Sequence, residues 1–138
     1  MATNDRFRAR MAQRIKAAKS KHDLFGQKLS VELLSRMVMR SPVDTGRFRG
    51  NWNVSLSSPD LSTDQSTDPS GGGTITKGAA IISGLVVNGQ TIYITNSLPY
   101  AYRLETGYSQ QAPAGIVGLT VVEFSSIAKQ VGAEVRML

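Results

Sequence analysis

The chain has 138 residues, no cysteine and a formal charge of +6. A domain of that length buries most of its apolar surface without staples, and the lack of cysteine excludes disulfides, thiolate catalysis and zinc–thiolate sites. The longest apolar runs, near Ala79 to Val87 and Ile116 to Phe124, fall well short of the roughly 20 residues of a membrane span.

The charge is unevenly spread. Residues 1 to 49 hold twelve Lys or Arg against four acids, whereas residues 50 to 76 hold three Asp and no base. One end is therefore basic, suited to nucleic acid, an anionic membrane or an acidic protein surface, and charge alone does not choose among these. No apolar run with a small-residue cleavage site follows Arg6, Arg8, Arg10 and Arg14, so a soluble intracellular product is expected rather than a secreted one.

From Asp5 to Met39 the positions Phe7, Met11, Ile15, Ala18, His22, Phe25, Leu29, Leu33 and Met37 advance by threes and fours. That is a helical stripe. It keeps phase through Ser20 to Asp23 and Gly26, which favours one long helix, with or without a bend there, over two. A second set, Leu24, Val31, Leu34 and Val38, predicts that the later half is buried on two sides. Thirty-five residues make a rod of about 50 Å, against a domain diameter of very roughly 37 Å. The early half is thus expected to protrude, with Phe7, Met11 and Ile15 covered by a neighbouring copy. Arg6, Arg10 and Arg14 lie beside that stripe and are assigned to the same assembly surface.

Pro42 ends the rod. Asp44 is expected to cap a short turn and Gly46 to permit a tight reversal. Asn51 to Ser57 reads as a strand, with Trp52 as a core residue. Residues 57–73 carry three Asp, many Ser and Thr and a triple glycine without apolar period; they predict a flexible loop or an arm ordered only by a neighbour. The triple glycine lacks the Lys-Ser or Lys-Thr of a phosphate-binding loop. Thr74 to Val87 places Ile75, Ala79, Ile82 and Val86 at helical spacing, and Asn88-Gly89 turns into a Gln90 to Thr95 strand. Pro99 ends that strand. Tyr100 to Glu105 suits a short helix with Tyr100 and Leu104 on one face, and Gly107 supplies positive φ just past it. Pro113 is expected to start a last helix whose apolar set is Val117, Val121, Phe124, Ala128 and Val131.

These elements predict an α+β fold: one domain over 1–138, a long helix over 1–40 with a protruding basic tip, a small mainly antiparallel sheet, and packed helices including a C-terminal one. The sheet is expected to carry Trp52, Val54, Ile92 and Ile94 inward beneath the last helix and the later half of the first.

Reactive groups are sparse. The sole histidine, His22, lies on the apolar stripe and reads as a packed or interface residue rather than a base or ligand. Glu105 has no second acid close in sequence to complete a hydrolytic pair; an ion pair with Arg47 or Arg49, or backbone donors, is its expected partner. No catalytic, metal or cofactor set emerges. A nucleic-acid-binding module is the alternative, since Arg6, Arg10, Arg14 and Lys21 share a helix face, although no aromatic residues interleave to stack bases.

Pro42-Val43-Asp44-Thr45-Gly46-Arg47 with Trp52, then Ile94-Thr95-Asn96, Pro99-Tyr100-Ala101, Leu104-Glu105-Thr106-Gly107 and Gln111-Ala112-Pro113-Ala114-Gly115 form an ordered set. In that order, between a long helix and a final one, they resemble the tail-completion or neck proteins of long-tailed bacteriophages, the group that includes the lambda-type minor tail protein Z. The resemblance implies a non-enzymatic structural protein of the virion neck, present in the host cytoplasm during assembly. It implies a homo-oligomeric, six-membered ring between a head-completion or connector protein and the tail terminator, near the packaged genome end, with no cofactor and no membrane. It also implies that Pro42, Asp44, Gly46, Trp52, Asn96, Pro99, Tyr100, Glu105, Gly107, Pro113 and Gly115 shape a shared corner.

Overall fold

The computed structural model describes residues 2–86 and 89–138, with side chains from residue 4 onward. The stripe is realised as one unbroken helix, α1 (Ala2–Arg40), of 39 residues. It passes through Ser20, Asp23 and Gly26 without interruption, because the apolar phase continues on both sides of them.

The remaining elements follow α1 in chain order: α2 (Arg47–Gly50), β1 (Asn53–Ser55), α3 (Gly72–Ile82), β2 (Tyr93–Thr95), α4 (Ala101–Glu105), α5 (Val117–Val122) and α6 (Phe124–Arg136). The architecture is α+β, with β1 and β2 antiparallel and Val54 opposite Ile94. Both strands are shorter than their sequence patterns. Of the expected turn and helix end, Val87 and Asn88 lie outside the described residues, and Gly89 has φ of +90°.

Two cores meet on α1. Leu34, Met37 and Val38 pack with Phe48, Trp52, Val54, Ile82, Leu98 and Ile116, and Ile92 and Ile94 close on the same cluster. The inward set of the sheet is therefore as expected. On another side of α1, Leu24, Phe25, Leu29 and Leu33 meet Ile127, Val131 and Val135 of α6. The later half of α1 is buried on two sides, but the last helix does not cover the sheet. That place belongs to α3, whose Gly78 comes so close that a Cβ there would stand 2.3 Å from Leu34 Cδ2 and 3.0 Å from Val54 Cγ2.

Two other periodic readings are met only in part. The buried face of α3 is Thr74, Gly78 and Ile82, while Val86 is 51% exposed beyond its end. Ile75 and Ile82 of the expected stripe do reach the core, whereas at the closest approach to α1 the small residue Gly78 is the one that fits. The last helix is divided in two, and its start is not at Pro113: the chain turns through Pro113 to Gly115, with Gly115 at φ +90°, before α5 begins. A left-handed residue there interrupts the right-handed helical path. The buried residues of this region are Ile116, Thr120, Ile127, Val131 and Val135, so Val117, Val121 and Phe124 of the expected stripe are exposed and only Val131 of it is buried.

Candidate functional site

The two motif stretches come together. Val43 donates its N–H to Gln111 Oε1 at 2.9 Å, and Gln111 Nε2 donates to Val43 O at 3.1 Å. The Phe48 ring lies 6.0 Å from Tyr100 and 5.9 Å, edge-on, from Trp52. Between the stretches a cleft of about 440 Å³ is walled by Pro42, Asp44, Phe48, Tyr100, Leu104 and Tyr108, among others. Arg103 caps the Tyr108 ring at 5.4 Å, a contact available to any cation over an aromatic face.

Several motif residues have a local reason. Gly46, at φ +90°, is pressed against Pro69, where a Cβ would meet the backbone N at 2.5 Å. Trp52 is buried and donates Nε1–H to Ser41 Oγ at 2.7 Å, while Ser41 Oγ donates to Met37 O. The end of α1 is thereby tied to the strand. Asn96 Nδ2 donates to Phe48 O at 2.8 Å, and its Oδ1 accepts from Leu98 N at 3.3 Å. Pro99 is exposed on the turn in which Ala101 N donates to Leu98 O. Gly107, at φ +89°, approaches Pro113 O so closely that a Cβ would be 2.5 Å away. Asp44 differs from its expected capping role: it is exposed, and the N–H of Arg47 is taken by Thr45 Oγ1 at 3.2 Å.

Glu105 meets backbone donors and no arginine. Its Oε2 accepts from Ile116 N at 3.0 Å and Val117 N at 2.8 Å, and its Oε1 accepts from Gly118 N at 2.8 Å. One carboxylate thus satisfies three N–H groups at the start of α5, the groups a helix leaves without internal partners. The requirement for Gly115 follows, since a Cβ there would lie 2.7 Å from Glu105 O. The two arginines are used elsewhere: Arg47 Nε donates to Asp64 O, and Arg49 donates to Met39, Ser41 and Pro69 carbonyls.

Two polar constellations escaped the sequence reading. Glu123 is bridged to Arg36 at 2.5 Å and also to Arg40, which donates to Thr120 Oγ1 as well. Burial opposes the ionised form of Glu123, yet the hydrogen bonds from Arg40 and Arg36 hold its carboxyl below the ordinary glutamate value. The available signal was the four-residue spacing of Glu32, Arg36 and Arg40 together with a lone acid between Glu105 and Glu134. The second is the segment 57–73. Its Asp-x-Ser repeats form Asx turns, Asp60 accepting from Ser62 and Asp64 from Ser66. Its carbonyls accept from Asn51, Asn53, Arg47, Arg49 and Thr95. Asp68 closes it by accepting from Thr74 N and Oγ1, both at 2.7 Å, which pulls its carboxyl below the usual aspartate value. These partners belong to the same chain, so the expectation of an arm ordered only by a neighbour is not met. The apolar pattern missed this course because polar bonds, not buried side chains, carry it.

The other candidate surface is the early half of α1. Every residue from 4 to 22 is exposed. Phe7 is 63%, Met11 41% and Ile15 51% exposed, with Arg6, Arg10 and Arg14 along one flank. His22 is exposed at the base of this arm rather than packed. Among the described residues no group of three His, Asp or Glu is placed to hold a metal ion, and no helix is long and apolar enough to cross a membrane. No family model matches the chain, and no curated protein or solved structure matches it either.

Proposed function

We propose that this chain is a structural protein of the neck of a long-tailed phage virion, without catalytic activity, whose copies join head to tail in a six-membered ring between the head connector and the tail terminator. The observation that carries the reading is the helical arm: residues 4–22 stand clear of the domain with an uncovered apolar stripe beside arginines. Fully covering a side chain such as Phe7 or Ile15 contributes about 1.5 to 3 kcal/mol, which favours assembly once orientational losses are offset over several contacts. The ordered motifs behind the family resemblance add support, because residues distant in sequence such as Val43 and Gln111 pair in one corner.

The mass of the purified chain in solution, alone and with heads and tails, tests this. A ring that is needed to join heads to tails is expected. Strong, salt-dependent DNA binding by a chain that forms no ring would replace the reading with the nucleic-acid-binding one.

A further inference from the structure

Between residues 4 and 22 the arm carries seven Lys or Arg against one acid, Asp5, and every residue there is exposed. The ion pairs among the described residues lie elsewhere, at Arg36 and Arg40, so none of the arm's cations has an ion-pair partner among them. We propose that the arm binds duplex DNA along its phosphate backbones, with its basic rows on the two strands and its apolar stripe turned away from the duplex. This binding does not depend on the neck reading, since it follows from the charge of one helix.

At about 3.6 residues per turn, Arg6, Arg10, Arg14 and Lys21 run along one flank of the stripe of Phe7, Met11 and Ile15. Arg8, Lys16 and Lys19 run along the other. The face opposite the stripe, between the two rows, is Ala9, Gln13 and Ser20, all uncharged. The arm thus has a neutral ridge to set into a groove and cations on both sides of it. From Arg6 to Lys21 is about 22 Å of helix, over which duplex DNA presents about thirteen phosphates. Its major groove is about 12 Å wide and admits an α-helix, which brings both rows within reach of the strands that wall it.

Other anionic partners fit this pattern less well. Single-stranded nucleic acid is held by aromatic side chains on which bases stack, and the arm's one aromatic residue, Phe7, lies on the stripe rather than between the rows. The major groove of A-form RNA is deep and narrow. A membrane surface or a protein groove takes up a helix by its apolar face, which turns Arg6 and Lys16 away from it.

Fluorescence anisotropy of a labelled duplex of arbitrary sequence, titrated with the full-length chain, tests the contact. Four phosphates neutralised by the cations nearest the neutral ridge, Arg6, Arg10, Lys16 and Lys19, should make the affinity fall about 150-fold between about 50 and 200 mM salt, at a slope of about 0.9 per phosphate. Arg6→Gln with Arg10→Gln should about halve that slope, and Lys16→Gln with Lys19→Gln should do the same. Lys77→Gln with Lys129→Gln removes as much charge from exposed positions outside the arm and should leave the slope unchanged. An equal loss in this control would overturn the proposal in favour of diffuse net charge. Tighter binding to a single strand, or equal binding to polyglutamate in place of DNA, would overturn duplex recognition. So would binding to phosphatidylserine vesicles, abolished by Phe7→Ser with Met11→Ser, in a chain that leaves the duplex unbound. A ring that binds no duplex sinks the DNA contact and leaves the neck reading standing. Duplex binding by a chain that forms no ring sinks the neck reading and leaves the DNA contact.

Discussion

Residues 24–40 and residues 4–22 belong to the same helix and keep the same hydrophobic phase, yet the first stretch supplies both cores and every residue of the second is exposed. Leu34 and Val38 are fully buried, while Phe7 and Ile15 are more than half exposed. The difference is in the number of apolar sides. The later stretch offers several, and α3, the sheet and α6 occupy them; the early stretch offers one narrow stripe, which is left exposed. Isolated helices are marginal in water and draw most of their stability from tertiary packing. The arm is therefore a helix propagated from a packed base, with its own side chains left free for contact.

The largest expected effect is in the packed half. Leu34→Ala should destabilise the chain by about 2 to 5 kcal/mol, the range for a fully buried leucine left as a cavity, read from the midpoint of denaturant unfolding. Gly78→Ala, facing Leu34 across the α1–α3 contact, should cost about 1 to 3 kcal/mol by overpacking. If either change were as mild as one in the arm, the contrast between the halves would fail.

Acid should sharpen the comparison next. The carboxyl of Glu123 is depressed in the folded state, so its stabilising contribution is fully present above the ordinary glutamate value of 4.5 and is lost as the pH falls through the depressed one. The groups facing it are Arg36 and Arg40, with Glu32 on the far side of Arg36. Asp68 behaves with the same sign below its ordinary value of 3.8. Amide exchange in α5 and at the start of α3 should accelerate on acidification before that in the middle of α1. Glu123→Gln should flatten the first of these responses, and an unchanged pH profile would remove Glu123 from the account.

A smaller, local effect is expected at the sheet edge. Asn51→Ala removes two donated bonds, to Arg47 O and Asp64 O, and one accepted from Asp64 N. Residues 57–73 should then become the first site of cleavage. Trypsin would not report this, because that segment has no Lys or Arg, so a protease of broad specificity is the suitable probe. Cleavage of the unaltered chain there at the same rate would mean that these bonds do not hold the loop.

The smallest effect on the folded domain belongs to the arm. Phe7→Ser with Met11→Ser, or deletion of residues 1–18, should shift stability by no more than about 0.5 kcal/mol, as at other exposed sites, while weakening assembly. Unfolding of the truncated chain would show that the arm supports its own core, and unchanged assembly would remove it as a contact surface.

The sequence by itself determined the elements whose cause is local. A stripe by threes and fours made α1; its single-sided early half and its length implied protrusion; and Gly46 and Gly107 stand where the backbone takes positive φ. The inward set of Trp52, Val54, Ile92 and Ile94 was legible too, because side-chain alternation along a strand is a property of the strand. Partner choice was not legible. Whether Glu105 met an arginine or backbone N–H groups depended on where residues 116–118 arrived, and Arg47 and Arg49 found carbonyls supplied by a segment with no apolar pattern. The C-terminal stripe misled, and the α3 stripe held at Ile75 and Ile82 but missed Thr74 and Gly78, for a related reason. Periodicity reports how side chains are spaced around one helix, but which side is covered depends on how closely a neighbour approaches; at Gly78 a small residue was the one that fitted. The tertiary structure alone decided those contacts, because each joins groups brought together only when the whole chain packs.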